Sequence, residues 1–351
     1  MPEDVYIRLR EFLDRLPGGY PATDSGVEIE LLKRYFTPEE AELAMSLQRI
    51  PEPASAIADR VGKPGAQVAE MLESMARAGS ILRIRIGEVP YYMALQFLVG
   101  IYEFHLKEMD REMAELLDEY LPTLMASFGE IETKQMRVVP VGAAIDTTAA
   151  VSTYDSAREL VRAQDKIAVA DCICRKEKEL LGHGCEHPME GCLTFGVAAD
   201  YYIENGVGRQ ISQDQCLAIL DRAEKNAMVL APSNAQVVMN ICTCCADSCN
   251  FLRSLRSYER PADHALSSFQ ASIDPEECSA CGTCLERCQI EAIVEGDDFM
   301  EVDLARCIGC GLCVPTCPSE AVSLVEKANA IEPPANFVEM QVKISTERGL
   351  S

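Results

Sequence analysis

Two stretches near the C-terminus set the reading of this chain: Cys278-Ser-Ala-Cys281-Gly-Thr-Cys284-Leu-Glu-Arg-Cys288 and Cys307-Ile-Gly-Cys310-Gly-Leu-Cys313-Val-Pro-Thr-Cys317-Pro318. Each reads C-x2-C-x2-C-x3-C, and the second begins 307 − 278 = 29 residues after the first. The repeat runs wider than the cysteines at the same offset, since Ile273-Asp274 answers Val302-Asp303 and Ala292-Ile293 answers Ala321-Val322. Each half reads as strand, cysteine loop, short helix, strand, which makes the segment an internal duplication. Three thiolates spaced this closely wrap a tight, Gly-bearing loop around one face of a soft metal centre, and the fourth, after a longer gap, opens a helix and turns away. Zinc ribbons instead use C-x2-C pairs far apart, not four cysteines in eleven residues written twice.

With those residues in view, the segment 270–327 closely resembles the two-cluster 4Fe-4S ferredoxin family. The resemblance implies that Cys278, Cys281, Cys284 and Cys317 hold one cluster and that Cys307, Cys310, Cys313 and Cys288 hold the other. One position departs from the family: Gln289 follows Cys288 where Pro is usual, as at Pro318. That residue shapes the turn and shields the cluster without ligating it, so the change bears on potential or stability.

The length of 351 residues is enough for two or three domains, and 48% hydrophobic content is that of a globular chain. A net charge of −24 disfavours nucleic acid and anionic membrane and suits basic docking surfaces on a redox protein partner, besides keeping the protein in solution. Seventeen cysteines with no basic, apolar leader at Met1-Pro-Glu-Asp imply a reducing compartment. No stretch reaches the ~20 apolar residues of a membrane span. The expectation is a soluble cytoplasmic protein, of an anaerobe given so many oxygen-sensitive thiolates.

Six parts are expected along the chain: an N-terminal helix (1–26), a winged-helix-like domain (27–95), a long connecting helix (96–130), a Cys-rich α/β domain (131–260), the ferredoxin domain (261–327) and a short polar tail (328–351). The overall class is α+β multidomain. Val5, Leu9, Phe12, Leu13 and Leu16 share a helical face that Pro17-Gly18-Gly19 ends. A second helix spans 27–36, and Thr37-Pro38-Glu39-Glu40 is a capping box that opens a third, running to about Gln48. Helices over 54–61 and 64–78 follow, each closed by glycine. A hairpin of 81–86 and 89–94 comes next, with Leu82, Ile84 and Ile86 on one face of its first strand and Arg83 and Arg85 on the other. This order of helices and hairpin resembles a winged helix-turn-helix domain. Its groove-facing helix would present Gln67, Glu70, Glu73, Ser74 and Arg77, and two carboxylates there oppose DNA binding. A protein-docking or structural role is therefore expected. A long helix is expected over 97–121, ended by Pro122, with a face of Leu98, Ile101, His105, Met109, Met113, Leu116 and Tyr120 for packing across a domain junction or in a homodimer; His105 reads as a core residue.

The middle region alternates strand and helix, with strands expected at 137–141, 167–170, 228–231 and 236–241, and helices at 154–162 and from the capping box Ser212-Gln213-Asp214-Gln215 to about Lys225. Two strands end in C-x-C, at Cys172/Cys174 and Cys242/Cys244. If the strands are neighbours, four thiols converge, because residues i and i+2 of a strand share a face. Cys185 and Cys192 are placed in the loop after 182, with His183 and His187 as further donors, and Cys245 and Cys249 follow the second C-x-C. Cys216 falls on a helical face with Leu220 and Ala223 and reads as a buried hydrophobe. The remaining eight cysteines fit one or two further 4Fe-4S clusters, a zinc or mixed-ligand site, or redox thiols. The motifs Cys172-Ile-Cys174-Arg175, Cys192-Leu-Thr-Phe195-Gly196 and Cys242-Thr-Cys244-Cys245 also resemble a group of multidomain ferredoxin-domain proteins with a Cys-rich middle, a likeness that implies no settled activity. Arg253, Arg256 and Arg260, in an expected linker over 253–269, either neutralise nearby clusters or face solvent.

Taken together, the sequence points to an iron–sulfur electron-transfer protein, more an oxidoreductase subunit than a stand-alone enzyme. A redox-sensing winged-helix regulator and a reductase with an active-site cluster in the middle domain are the rivals. No Gly-rich phosphate loop or dinucleotide fingerprint supports nucleotide or flavin binding.

Overall fold

The computed structural model describes residues 2–145, 152–328, 330 and 332–350. Two hydrophobic cores organise them. The first gathers the N-terminal helices around Leu9, Leu31, Leu72, Phe97 and Tyr120, and the second joins the middle region to the cysteine repeats around Val139, Leu193, Ile241, Ile308 and Leu324. They meet at one sheet. Along its strand Ile167–Asp171, Ala168 and Ala170 pack into the first core while Ile167 and Val169 pack into the second, the two-residue alternation of a strand covered on both faces.

The N-terminal part follows local sequence rules closely. Thr37 and Glu40 form the reciprocal capping box, with Pro38 in the first turn of Pro38–Ala44. Helices Ala54–Val61 and Gly65–Ala78 end at Gly62 and Gly79, both in the left-handed region. The strands Leu82–Ile86 and Val89–Met93 form a hairpin, and Glu52–Pro53 adds a third strand on the outer side of Val89–Met93.

The hairpin differs from expectation in which face it buries. Ile86 is 59% exposed, whereas Arg83 is 4% exposed. The reason is a neighbour: helix Gly196–Glu204 packs on the hairpin, and Arg83 bridges Glu73 (2.6 Å) and Glu204 (2.7 Å). Arg85 pairs with Glu204 and Arg77 with Glu73, so these cations are spent within the chain.

The expected helix over 97–121 is two pieces. Leu98, Val99 and Gly100 leave helical dihedrals, Tyr102–Phe104 is a single turn, and the long helix runs Arg111–Glu130, straight past Pro122. Asp110 caps it through the Met113 N–H at 2.8 Å. His105 is buried with its ring against that of Tyr35, as a core residue should be, and desolvation lowers its pKa to about 4.

The middle sheet is antiparallel throughout: Arg209–Gln210, Ile167–Asp171, Glu190–Phe195, Asn240–Cys244 and Val229–Pro232, in that spatial order. Its class is thus α+β rather than an alternating parallel α/β unit, and the strand Glu190–Phe195 at its centre lies where a loop was expected. Residues 136–141 make isolated bridges to Ser233, Leu230 and Leu266 instead of a full strand, and the Val141 N–H donates to the Cys310 carbonyl at 3.0 Å. They strap the sheet to the repeats. The expected linker begins inside a helix, Asn250–Ser257, and the expected polar tail contains another, Phe337–Glu347. Arg348 beyond it donates to the carbonyls of Asp14, Leu16 and Pro17, which fixes the C-terminal helix to the N-terminal unit.

Breaking the buried Arg83 cluster leaves two carboxylates short of a cation. Arg83→Met should cost roughly 3 kcal/mol or more in urea unfolding. Arg77→Met, at a side chain 72% exposed, should cost under about 0.5 kcal/mol.

Candidate metal centres

The cysteine repeats fold as two interlocked halves. Phe269–Ile273 pairs with Val322–Glu326, and Ile293–Glu295 pairs with Met300–Val302, all antiparallel. The outer strand pair therefore joins the start of one half to the end of the other. The 29-residue repeat is visible in the backbone: the N–H of Cys278 donates to Asp274 and that of Cys307 to Asp303, while Asp274 donates to Ala321 and Asp303 to Ala292. Left-handed residues recur at Ala280 and Gly309, Gly282 and Gly311, and Glu291 and Glu320. The halves differ at one element, since Thr283–Arg287 is helical but its counterpart at 312–316 is only turns.

The loops bring the thiols together across the halves. Cys284 lies within electrostatic reach of Cys278 and Cys317, whereas Cys307 and Cys313 lie within reach of each other and of Cys288, as does Cys310. The fourth cysteine of the first motif thus sits with the first three of the second, and the fourth of the second sits with Cys278 and Cys284 of the first, while Cys281 lies at the exposed tip of its loop beside Thr283. Cys313 also feels Cys284, so the two groups adjoin. Backbone N–H groups point at sulfur, Ala271 to Cys307 at 3.3 Å and Ala292 to Cys288 at 3.1 Å. Such donors favour the thiolate, and hydrogen bonds to sulfur set cluster potentials. The cradle is tight around the second loop: a Cβ at Gly309 would fall on the Phe269 carbonyl, and one at Gly311 would meet Ala144 Cβ at 2.6 Å. The first loop faces solvent, with Cys281 exposed, while Cys307 and Cys313 are buried. Four soft ligands gathered in the second group, three in the first with Cys281 on the same loop, donors aimed at sulfur and glycine where the chain must come close fit a cubane in each group.

Six of the eight middle cysteines gather in a separate pocket, by a route different from the expected one. Cys172 does not extend a strand: it occupies the N-cap position of helix Ile173–Leu180, so Cys174 lies on the first helical turn. The C-x-C strands are also not neighbours, because Glu190–Phe195 runs between them and sets Cys192 directly opposite Cys242. Cys249 closes the set at the N-cap position of helix Asn250–Ser257. The thiols interact in a run from Cys172 to Cys174, Cys249, Cys244 and Cys242. Cys192 lies within reach of Cys242 and Cys174.

Interaction with Cys172 and Cys249 draws Cys174 well below the ordinary thiol range, and the same pairings hold Cys172 and Cys249 well above it. Tyr102 and Asn250 also approach Cys174 Sγ, at 3.7 and 3.8 Å. A cavity of about 100 Å³ touches Cys174, Cys242, Cys244 and Cys249, and an apolar one of about 410 Å³ touches Cys192 and Cys242. Glu103 borders both, and burial raises its pKa to about 8 although the Gly100 N–H donates to it.

Cys185 and Cys245 stand apart from the six, with their sulfurs 3.8 Å from each other. The buried Arg175 separates the groups: its charge reaches Cys172, Cys245 and Cys244, and it donates to the Pro188 and Thr243 carbonyls. His187 lies near Asp247, whereas His183 only borders the same surface groove. Cys216 is fully buried in the second core, and desolvation lifts its thiol to about 12. Of the three linker arginines, Arg256 pairs with Glu291, Arg253 with Asp118 and Arg260 with Asp263; none of these partners is a thiol.

Gln289 supplies the contact that the sequence did not anticipate. Its side-chain carbonyl accepts the Ala246 N–H at 2.8 Å. The residue after Cys288 therefore touches the residue after Cys245, and the repeats are tied to the middle cysteines. Proline could not make this bond, which gives the departure from the family pattern a physical reason.

A family model described as a 4Fe-4S dicluster domain matches residues 271–324. The chain carries a ferredoxin-type domain at its C-terminus. No curated protein and no solved structure matches the chain. The matched dicluster domain spans both repeats and all eight of their cysteines, and it supports iron–sulfur binding by this segment. Among the described residues no helix is long and apolar enough to cross a membrane.

Replacing Gln289 tests the bridge. Gln289→Pro restores the commoner residue yet strands the Ala246 N–H, and should cost about 1 kcal/mol. Anaerobic thermal unfolding of the variant should show a lower midpoint, and an unchanged midpoint would contradict the contact.

Proposed function

We propose that the chain is an iron–sulfur electron-transfer protein with three cluster sites in line. Cys278, Cys281, Cys284 and Cys317 form the outermost, Cys307, Cys310, Cys313 and Cys288 the second, and the pocket of Cys172, Cys174, Cys192, Cys242, Cys244 and Cys249 the innermost. When bound, a cubane supplies a one-electron couple whose potential lies anywhere in roughly −700 to +450 mV. The observation that carries the reading is the run of adjoining thiol groups from the exposed Cys281 to the buried Cys244 and Cys249, with the Gln289–Ala246 contact tying the repeats to the middle region.

The chain's own residues divide the work. The glycines and left-handed turns shape the loops, and the N–H groups of Ala271 and Ala292 stabilise negative sulfur. Tyr102, Asn250 and Tyr202 do the same for the inner pocket, and the second core excludes water from the second site. Asp274, Glu276, Glu277 and Glu286 are exposed around the outer loop, which suits a basic redox partner docking there.

The winged-helix-like part serves as a docking and structural unit in this reading. Its arginines are paired within the chain, and Tyr201 and Asn205 bond to the Ala76 carbonyl, which holds the unit to the middle region. These pairings leave little for phosphates and disfavour a DNA-binding regulator. One observation favours the second reading of a reductase: the apolar cavity of about 410 Å³ beside Cys192 and Cys242 has the size of a small-molecule site. Turnover of an added apolar acceptor by the reduced protein would select it.

The electron-transfer reading is tested with a basic cytochrome as acceptor. Dithionite-reduced protein should reduce it stoichiometrically, and Glu276→Lys/Glu277→Lys should slow the second-order step by about tenfold at low salt and flatten its salt dependence. A protein that takes up no reducing equivalents, or a variant with unchanged salt dependence, would sink the reading or its docking face respectively.

A further inference from the structure

We infer that Cys185, Cys245 and Asp247 form a mononuclear site for a zinc-like divalent cation, separate from the cluster sites and oriented by His187. One ligand atom from each of the three residues lies within 4.8 Å of the other two. Two thiolates on a tetrahedral zinc, each about 2.3 Å from the ion, stand about 3.8 Å apart. The Cys185 and Cys245 sulfurs are 3.8 Å apart, so that edge of the tetrahedron is already in place.

The donor set is the stronger argument. A cubane takes four soft ligands, but here two thiols adjoin a carboxylate, a mixture that zinc accepts and an all-thiolate cluster site does not resemble. His187 Nε2 lies 3.5 Å from Asp247 Oδ2, the outer-shell partner that aims a ligating carboxylate. Ser248 Oγ donates to Cys185 Sγ at 3.3 Å in the same way. Charge closes as well: two thiolates and a carboxylate bring three negative charges, a divalent ion two positive, and the Arg175 guanidinium beside Cys245 the third.

Position allows an ion to enter. Cys185 and Asp247 line an open surface groove with His183, Glu186 and Asn226 on its walls, and Cys245 is buried behind Cys185, its sulfur 3.8 Å away. The fourth position falls to water on the groove side. Ala246, between two of the ligands, is the residue that Gln289 holds, so the ion would brace the segment that joins the middle pocket to the dicluster domain.

Full-length protein, purified anaerobically with its clusters and dialysed against zinc sulfate, tests the inference. Zinc content should be about one per chain, and zinc K-edge absorption should show two sulfur scatterers at about 2.3 Å and two nitrogen or oxygen scatterers at about 2.0–2.2 Å. Cys185→Ser and Asp247→Asn should each weaken zinc at least tenfold against a competing chelator while iron and sulfide stay unchanged. Asp247 is 59% exposed, so its variant keeps the fold. His187→Ala should weaken zinc by roughly 10–100-fold without changing the count of scatterers. No retained zinc, four sulfur scatterers, or loss of iron in Cys185→Ser would each overturn the site, the last by returning Cys185 to a cluster.

Discussion

The constraint behind this structure is that thiolates repel one another and dislike a dry interior. Of the seventeen cysteines, eight lie in the middle region and eight in the cysteine repeats, and Cys216 is buried by itself in the second core. Among bare thiols the conflict shows as divergent pKa shifts, with Cys174 drawn down while Cys172, Cys244 and Cys249 are pushed up. Soft metal centres resolve it differently, since each thiolate then faces a cation and the remaining charge is met by N–H groups and by Arg175. The backbone is already built for that second state. Its donors aim at sulfur, and its left-handed turns recur where a loop must bend around a cluster.

This arrangement explains why the parts of the chain are not loosely strung. The dicluster domain shares a core with the middle sheet, and Arg287 donates to the carbonyls of Glu224 and Lys225 at the end of helix Gln213–Lys225. Arg256 pairs with Glu291, beside Cys288, and residues 136–141 strap the sheet to the repeats. The N-terminal unit closes the other face of the same sheet and places Tyr102 and Glu103 against the inner thiols. A rigid frame of this kind fixes the distance between the middle thiols and the dicluster domain, which a flexible linker would not.

Much of this was legible in the sequence because local rules decide it. The repeat offset foretold the paired loops, and both capping boxes, at Thr37/Glu40 and Ser212/Gln215, are formed. What escaped was set by partners distant in the chain. Arg83 is buried because Glu204 lies against it, although alternation alone would turn it outward. Cys192 is on a central strand because its register partner is Cys242, some fifty residues away, and the short run 190–195 with its glycine gave little periodic signal. Pro122 sits inside a helix that neighbours hold together, and Phe337–Glu347 is stabilised by docking through Arg348 rather than by its own pattern. Cys172 was misread as strand because the C-x-C spacing suits extended chain, yet the backbone turns into a helix one residue later.

Iron and acid-labile sulfide per chain, measured on anaerobically purified protein, test the account most directly. Three cluster sites predict about twelve of each. About eight of each, with the six inner thiols open to alkylation in the folded protein, would confine the clusters to the dicluster domain and contradict an inner redox centre.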